Sequence, residues 1–264
     1  MLNEREKKLI KLIKGYCKNH GLDFYTLPLL LNEPKLVPMI RGIGFEYIIQ
    51  NFLESLSKSY NNQFEVLKPN INAQFNMGDI DIEIYDQKNN KRYRCECKLA
   101  KNSSFKKLEN ETFCYIKIMR SRTLGDEKIR ETSINENIPL DHVAAHKDSY
   151  LINKFDFVIT NLRNVFYRTT QNNIFKFNPN EEELDFLKEF YGLSSYEEID
   201  NFLLNTHFYI KSEDLIPKNN DFKCTRRNCS MPNECYFVPN YPKFLFNENN
   251  KWKKLDNIFE DLKE

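Results

Sequence analysis

The sequence predicts an α/β or α+β fold, in which a central mixed β-sheet is flanked by helices. Short runs that alternate apolar and polar residues, typical of strands, lie on both sides of a polar turn in the segment 77–99. The run FDFVIT at 155–160 predicts a buried strand, and stretches with apolar residues at helical spacing lie before and after it. Hydrophobic residues make up 41% of the chain and aromatic residues 14%, which indicates a globular protein rather than a disordered one.

The N-terminal part is predicted to be helical. In the opening segment MLNEREKKLIKLIKGYC, Asn3 and Glu6 form a capping signal, and the early acidic residues argue against a signal peptide. A second helix is expected over 38–57, with Pro38 at its first position. Its predicted buried face consists of Ile40, Ile43, Tyr47, Ile48, Phe52 and Leu56.

The remaining elements follow from the same signals. Ser195 and Glu198 form a capping box, which predicts that a helix begins there. Strands are predicted at 64–68 and 208–211, a hairpin at 164–169 and 173–177, and helices at 109–123, 139–152, 179–191 and 195–205. We expect residues 1–211 to form the main domain with embedded recognition elements, and residues 212–264 to form a cysteine-containing C-terminal extension.

The segment MGDIDIEIYDQKNNKRYRCECKL, residues 77–99, carries the strongest chemical signal. It predicts two strands joined by a turn at 86–91. A hairpin centred near Lys88 and Asn89 pairs Glu83 with Arg94 and places Asp81 opposite Glu96. Like charges directly opposite each other destabilise a sheet, so this pair either shares a proton or holds a cation. A hard oxygen site beside Lys98 is suited to magnesium and phosphate.

The arrangement of Asp79 or Asp81 with Glu96-Cys97-Lys98 resembles the PD-(D/E)xK nuclease superfamily, which includes many type II restriction endonucleases, Mrr-like nucleases and Holliday-junction resolvases. The usual proline is absent, since Met77-Gly78 precedes the first aspartate. The hairpin register favours Asp81 as the family's aspartate, whereas the turn position favours Asp79. The resemblance implies a restriction-endonuclease-like core.

A second resemblance lies in the helix at 38–57. The pattern Gly42-x-Gly44-Phe45-Glu46 is similar to the first core helix of the Mrr and resolvase branch, where a glutamate reaches toward the metal site. Glycine weakens a helix by about 1 kcal/mol relative to alanine, so the two glycines indicate close packing or close approach to a ligand. The alternative interpretation is that Glu46 is a solvated helix residue.

The resemblance implies a Mg²⁺-dependent endonuclease acting on double-stranded DNA, most like a type II restriction enzyme. Mg²⁺ would be held by Asp81 or Asp79, by Glu96 and by the carbonyl of Cys97, with Glu46 completing the site. Lys98 would orient or help to deprotonate the attacking water and stabilise charge on the phosphate. Cutting of palindromic sites would imply a homodimer, and a cognate DNA methyltransferase would be the genetic partner.

Two alternatives stay open. One is a structure-specific or repair nuclease with the same site, and the other is a non-catalytic DNA-binding module with a vestigial site. The net charge of +1 means that DNA binding needs local basic patches. Each candidate residue in such a patch is more often a solvated side chain than a contact. The candidates are Lys101, Arg120, Arg122, Arg226 and Arg227.

Seven cysteines, an odd number, indicate reduced thiols and a cytoplasmic location rather than a disulfide framework. Cys224, Cys229 and Cys235 predict a structural zinc site, and His207 is the nearest upstream histidine that could complete it. Free cysteines in a loop are the alternative. His142 and His146 have the i, i+4 spacing of two metal ligands, but without an HExxH pattern we expect ordinary helix residues. No apolar run approaches the length of about 20 residues that spans a membrane.

Overall fold

The computed structural model describes residues 2–33, 35–69, 80–120, 122–169, 175–216 and 223–263. It divides into two compact units, residues 1–45 and residues 46–264. The helices are α1 (Glu4–Asn19), α2 (Leu27–Leu31), α3 (Val37–Lys58), α4 (Asp126–Asn135), α5 (Leu140–Ala145), α6 (Glu181–Tyr191), α7 (Tyr196–Asn205) and α8 (Ile258–Asp261).

The second unit is built on a six-stranded mixed sheet. The strands are β1 (Phe64–Leu67), β2 (Ile82–Asp86), β3 (Lys91–Cys97), β4 (Lys106–Lys107), β5 (Thr112–Tyr115), β6 (Phe157–Thr160), β7 (Tyr167–Thr169), β8 (Phe175–Phe177), β9 (Phe208–Lys211), β10 (Lys243–Leu245) and β11 (Lys253–Lys254). The main sheet has the order β1-β2-β3-β6-β9-β11, and its only parallel pair among the described strands is β3 with β6. The fold is therefore mixed α/β, with flanking helices.

Burial follows the expected strand patterns. In β2, Ile82 and Ile84 are fully buried and alternate with partly exposed residues. All of β6 is buried, as expected for a central strand with its parallel neighbour on one side. Leu187 of α6 and Ile199 of α7 share a buried cluster with Val158 of β6, so these helices cover part of the sheet.

The smaller sheets draw on distant parts of the chain. β5 pairs with β4 and with β10, and β7 pairs with β8. The segment 212–264 supplies β10 to the three-stranded sheet and β11 to the edge of the main sheet. None of the helices in the described parts of the chain combines the length and the apolarity needed to cross a membrane.

Three predicted elements differ from the structure. The expected helix at 109–123 is wrong, because residues 112–115 form β5 and its neighbour Ile116 bridges to Ala100. The expected helix at 139–152 is shorter, since α5 ends at Ala145. The buried face of α3 is also different: Phe45, Ile49 and Leu53 are buried, whereas Ile43, Tyr47 and Ile48 are about half exposed. Apolar residues occur on several sides of this helix, so their spacing alone could not select the buried side.

Candidate functional site

Two carboxylates and a lysine meet at one end of the β2–β3 hairpin. Lys98 Nζ lies 2.5 Å from Glu96 Oε1 and 4.0 Å from Asp81 Oδ2. The Asp81 carboxylate also accepts a hydrogen bond of 2.7 Å from the backbone amide of Cys97. The Glu96 side chain is 4% exposed and that of Asp81 13%, so both acids are largely withdrawn from water. The lysine is placed between them.

The hairpin register produces this meeting. Ile82 pairs with Cys95 and Glu83 with Arg94, which confirms the predicted register. Continuing this register by one residue places Asp81 opposite Glu96. Asp86 fixes the turn, because its carboxylate accepts hydrogen bonds from the backbone amides of Lys88 and Asn89. A slip by one residue would move Asp81 to the other face of the sheet, so the turn chemistry and the site geometry are linked.

Burial dominates the electrostatics of Asp81. It raises the pKa of the Asp81 carboxyl from 3.8 to about 7; the neighbouring Glu96 and Glu46 add to the rise, while Lys98 opposes it. For Lys98, burial alone would lower the pKa, but the attraction of Glu96 and Asp81 outweighs it and the pKa is raised. The lysine therefore carries a positive charge at neutral pH.

Glu46 of α3 belongs to the same site. Its charge acts on Asp81, and its carboxylate forms an ion pair with Lys68, which follows β1. The side chains of Glu46 and Lys68 are 19% and 18% exposed, so Glu46 is not a solvated helix residue. The site thus brings the carboxylates of Asp81, Glu96 and Glu46 together with the ammonium groups of Lys98 and Lys68.

Tyr150 and Arg120 complete the surroundings of Glu96. Burial raises the pKa of the Tyr150 hydroxyl, with further contributions from the Glu96 charge and a hydrogen bond to Glu96. The Tyr150 ring lies 5.8 Å from Lys98 Nζ and 4.9 Å from the Arg120 guanidinium carbon. Arg120 was expected among the basic residues, but nothing in the sequence pattern associates Tyr150 with this site.

The other predicted site residues fare differently. Asp79 lies in the segment 70–79, outside the described residues. Lys101, Arg122 and Arg227 are exposed. Arg226 forms an ion pair with Asp148 and donates to the carbonyl of Ala145 at 3.1 Å, so its guanidinium has partners within the protein.

A second cluster joins α5 to the segment 223–238. We call it the Cys/His cluster; its donors are His142, His146, Cys224, Cys229 and Cys235. One ligand atom from each of four of them, all but Cys224, lies within 4.8 Å of the others. The Nε2 atom of His146 lies 3.4 Å from the Sγ atoms of both Cys224 and Cys235. This arrangement can hold a structural metal such as zinc.

His207 is not part of the Cys/His cluster, and the expectation that it would be the fourth ligand does not match the geometry. Its Nδ1 atom lies 3.3 Å from the side-chain nitrogen of Asn161, and its ring packs edge-on against Phe52. Burial lowers the pKa of His207 to about 4, so it is neutral at physiological pH. His142 and His146 lie beside the thiols instead, so the expectation that they are ordinary helix residues is corrected.

No protein-family model, curated protein or solved structure matches this chain. The two side-chain clusters are therefore the features of the chain that bear on its function. In the described residues, the Cys/His cluster is the one group of three or more side-chain donors that could hold a metal. The hairpin site contributes two acids in direct contact with Lys98.

Proposed function

We propose that the chain is a Mg²⁺-dependent DNA endonuclease of the PD-(D/E)xK type, most like a type II restriction enzyme. The observation that carries this proposal is the placement of Lys98 between Asp81 and Glu96 at the end of a hairpin. The charge of Glu46, from the helix that precedes this hairpin, acts on Asp81. The order helix, strand, strand, acid and lysine along the chain is that of the family that the sequence resembles.

The donor set suits a hard divalent cation. Asp81 and Glu96 offer carboxylate oxygens, and a bound divalent cation would favour the ionised form of Asp81, whose pKa is raised to about 7. Asp81, Glu96 and the carbonyl of Cys97 would hold Mg²⁺. When bound, this ion would polarise the scissile phosphodiester and lower the pKa of a water molecule.

The protein's own groups have distinct roles in this proposal. Lys98 is positively charged and would stabilise the negative charge that develops on the phosphate, rather than act as a base. Tyr150 contacts Glu96 and would hold the orientation of that carboxylate. Arg120, with its Nε bound to the carbonyl of Ser149 at 3.0 Å, presents its guanidinium beside the same acid and would contact a phosphate.

Double-stranded DNA is the proposed substrate, and cutting at palindromic sites would require a homodimer. A gene for a DNA methyltransferase beside this one would support a restriction role. We further propose that the Cys/His cluster holds a structural zinc ion.

The test is digestion of defined plasmids with added Mg²⁺, Mn²⁺ or Ca²⁺, in parallel with binding assays. Discrete fragments in Mg²⁺ would support a restriction enzyme, and preference for branched DNA would point to a resolvase-like enzyme. DNA binding without cleavage in any of these ions would indicate a non-catalytic DNA-binding module. If the protein neither binds nor cleaves DNA in any of these ions, the proposal is refuted.

A further inference from the structure

We infer that the Cys/His cluster binds one zinc ion through Cys224, Cys229, Cys235 and His146, and that this centre fixes the chain segment carrying Tyr150 against the hairpin site. The zinc assignment and the fixing of the segment stand without any nuclease activity. Only the effect on DNA cleavage rests on the proposed function.

The distances from His146 to two of the thiols are close to those in a tetrahedral zinc site. Zinc bonds of about 2.3 Å to sulfur and about 2.0–2.1 Å to nitrogen place neighbouring nitrogen and sulfur ligands about 3.6 Å apart. His146 Nε2 lies 3.4 Å from Cys224 Sγ and 3.4 Å from Cys235 Sγ. Cys229 Sγ and Cys235 Sγ belong with a ring nitrogen of His146 to the ligand atoms that all lie within 4.8 Å of one another, and Cys224 Sγ adjoins them through His146.

His146 has the orientation of a zinc ligand. Its Nδ1 atom lies 2.8 Å from the backbone carbonyl of His142, and since a carbonyl only accepts, Nδ1 carries the proton. The Nε2 lone pair then faces the thiols. A metal-binding histidine usually donates its other ring N–H to a carbonyl or carboxylate in this way.

The fourth ligand position, beside Cys229, Cys235 and His146, is better filled by Cys224 than by His142. The nitrogen of His142 nearest to the cluster is Nδ1, 3.7 Å from Cys229 Sγ, and its Nε2 is buried without a hydrogen-bond partner. If His142 bound zinc through Nδ1, its Nε2 would carry a buried, unpaired proton, which is costly. If Cys224 binds instead, His142 can donate its Nδ1 proton to the Cys229 thiolate.

The apolar core around the Cys/His cluster is small. It contains six buried residues, Ile129, Ile138, Val143, Leu151, Cys235 and Phe237, with Leu124, Cys224 and Cys229 partly buried beside them. Small modules with little apolar core commonly depend on a metal or disulfides, and binding of the metal then supplies folding free energy. Here the free cysteines exclude a disulfide as that cross-link in the structure.

The centre is joined to the hairpin site by short backbone connections. His146 lies four residues before Tyr150, and Cys235 lies three residues before Val238. The Val238 amide donates to the Tyr150 carbonyl at 2.9 Å, and the Ile152 amide donates to the Tyr236 carbonyl at 3.0 Å. Zinc would close the open end of this antiparallel pair and so fix the position of Tyr150.

Arg226 strengthens the same connection. It lies between Cys224 and Cys229 in the chain, donates to the Ser149 hydroxyl at 3.2 Å, and forms an ion pair with Asp148. Ser149 in turn accepts the hydrogen bond from Arg120. Arg226 is thus a positioning residue, whose effect reaches Glu96 only through Tyr150 and Arg120.

The first experiment determines the ligands. Elemental analysis of the purified protein should give about one zinc per chain. Cys224→Ser and His146→Ala should lose zinc, whereas His142→Asn should retain it, and Cys17→Ala, a buried cysteine outside the cluster, serves as the control. The Co²⁺-substituted protein should show tetrahedral absorption bands and the strong charge-transfer band of three thiolates. Loss of zinc in His142→Asn, with retention in Cys224→Ser, would overturn this ligand set, and a folded protein without zinc would overturn the site.

The second experiment tests the connection without using catalysis. Removal of zinc should accelerate amide exchange at Ile152 and Val238 by about 10-fold or more, while exchange in β2 and β3 stays unchanged as an internal reference. Unchanged protection at both amides would overturn the connection. If exchange becomes faster as expected but the protein does not cut DNA under any condition, only the nuclease proposal is refuted. Wild-type cleavage by zinc-depleted protein would refute the link to the hairpin site and leave the nuclease proposal intact.

Discussion

Replacing Asp81 with asparagine should stabilise the protein near neutral and alkaline pH when no Mg²⁺ or Mn²⁺ is added. The folded pKa of about 7 lies above the ordinary value of 3.8, so the unfolded chain releases this proton more readily. The contribution of Asp81 to the free energy of unfolding is therefore fully present below pH 3.8 and is lost as the pH rises through about 7. Asparagine does not ionise and removes this loss.

The magnitude follows from the shift. A rise of about 3 units corresponds to about 4 kcal/mol as an upper limit, at about 1.4 kcal/mol per unit. We expect about 2 kcal/mol, because asparagine gives up the attraction of Lys98 while its side-chain oxygen can still accept from the Cys97 amide. The gain in the free energy of unfolding should be greater at about pH 8 than at about pH 5, because wild-type Asp81 loses most of its stabilising contribution between these pH values.

Urea unfolding, followed by the fluorescence of the single tryptophan, gives the measurement. Trp252 is 5% exposed and belongs to the main core, so its emission reports on unfolding of the unit 46–264. Glu83→Gln is the matched control, since Glu83 lies two residues further along the hairpin, on β2, and its side chain forms an ion pair with Arg92 outside the site. A variant no more stable than wild type at about pH 8, or one equally stabilised at both pH values, would refute the reasoning.

The remaining predictions concern cleavage. Cutting should require Mg²⁺ or Mn²⁺, and Ca²⁺ should support DNA binding without cutting; full activity in excess chelator would contradict a two-carboxylate metal site. Glu96→Ala should abolish cleavage, and Asp81→Ala should reduce it more severely than Asp79→Ala. If the Asp81 variant cuts normally and the Asp79 variant is inactive, Asp79 and not Asp81 is the metal ligand. Lys98→Ala should lower the cleavage rate by about 100-fold or more while gel-shift affinity in Ca²⁺ stays within a few-fold, because Lys98 acts on developing charge. Lys88→Ala, in the exposed turn of the same hairpin, is its control, and wild-type cleavage by the Lys98 variant would count against the nuclease proposal.

The hairpin could be predicted from the sequence because the residues that form its strands and its turn lie close together in the chain. The alternation in 80–84 and 92–97 and the polar turn at 87–90 lie within 20 residues, and together they set the pairing of Glu83 with Arg94. The capping boxes of α1, α6 and α7 are equally local; those of α1 and α7 were predicted and are confirmed.

β5 and the ligands of the Cys/His cluster were missed because their partners are distant in the chain. β5 is held by β10, with Phe113 paired to Leu245, and no periodicity in 109–123 reports that contact. Proximity in sequence favoured His207, 17 residues before Cys224, over His146, which lies 78 residues before it. Only the fold brings α5 to the cysteines. The pair His142 and His146 was a usable signal once three thiols needed a fourth ligand.

The ion pair between Glu46 and Lys68 affects how many cations the hairpin site can hold. Asp81 and Glu96 are the carboxylates next to Lys98, whereas Glu46 acts on Asp81 through its charge. Lys68 compensates the charge of Glu46 by pairing with its carboxylate. A second cation would have to displace a largely buried ammonium group from its partner, at the cost of breaking a desolvated ion pair. If the hairpin site holds Mg²⁺ as proposed, we therefore expect a single ion between Asp81 and Glu96, with Glu46 holding Lys68 beside the site.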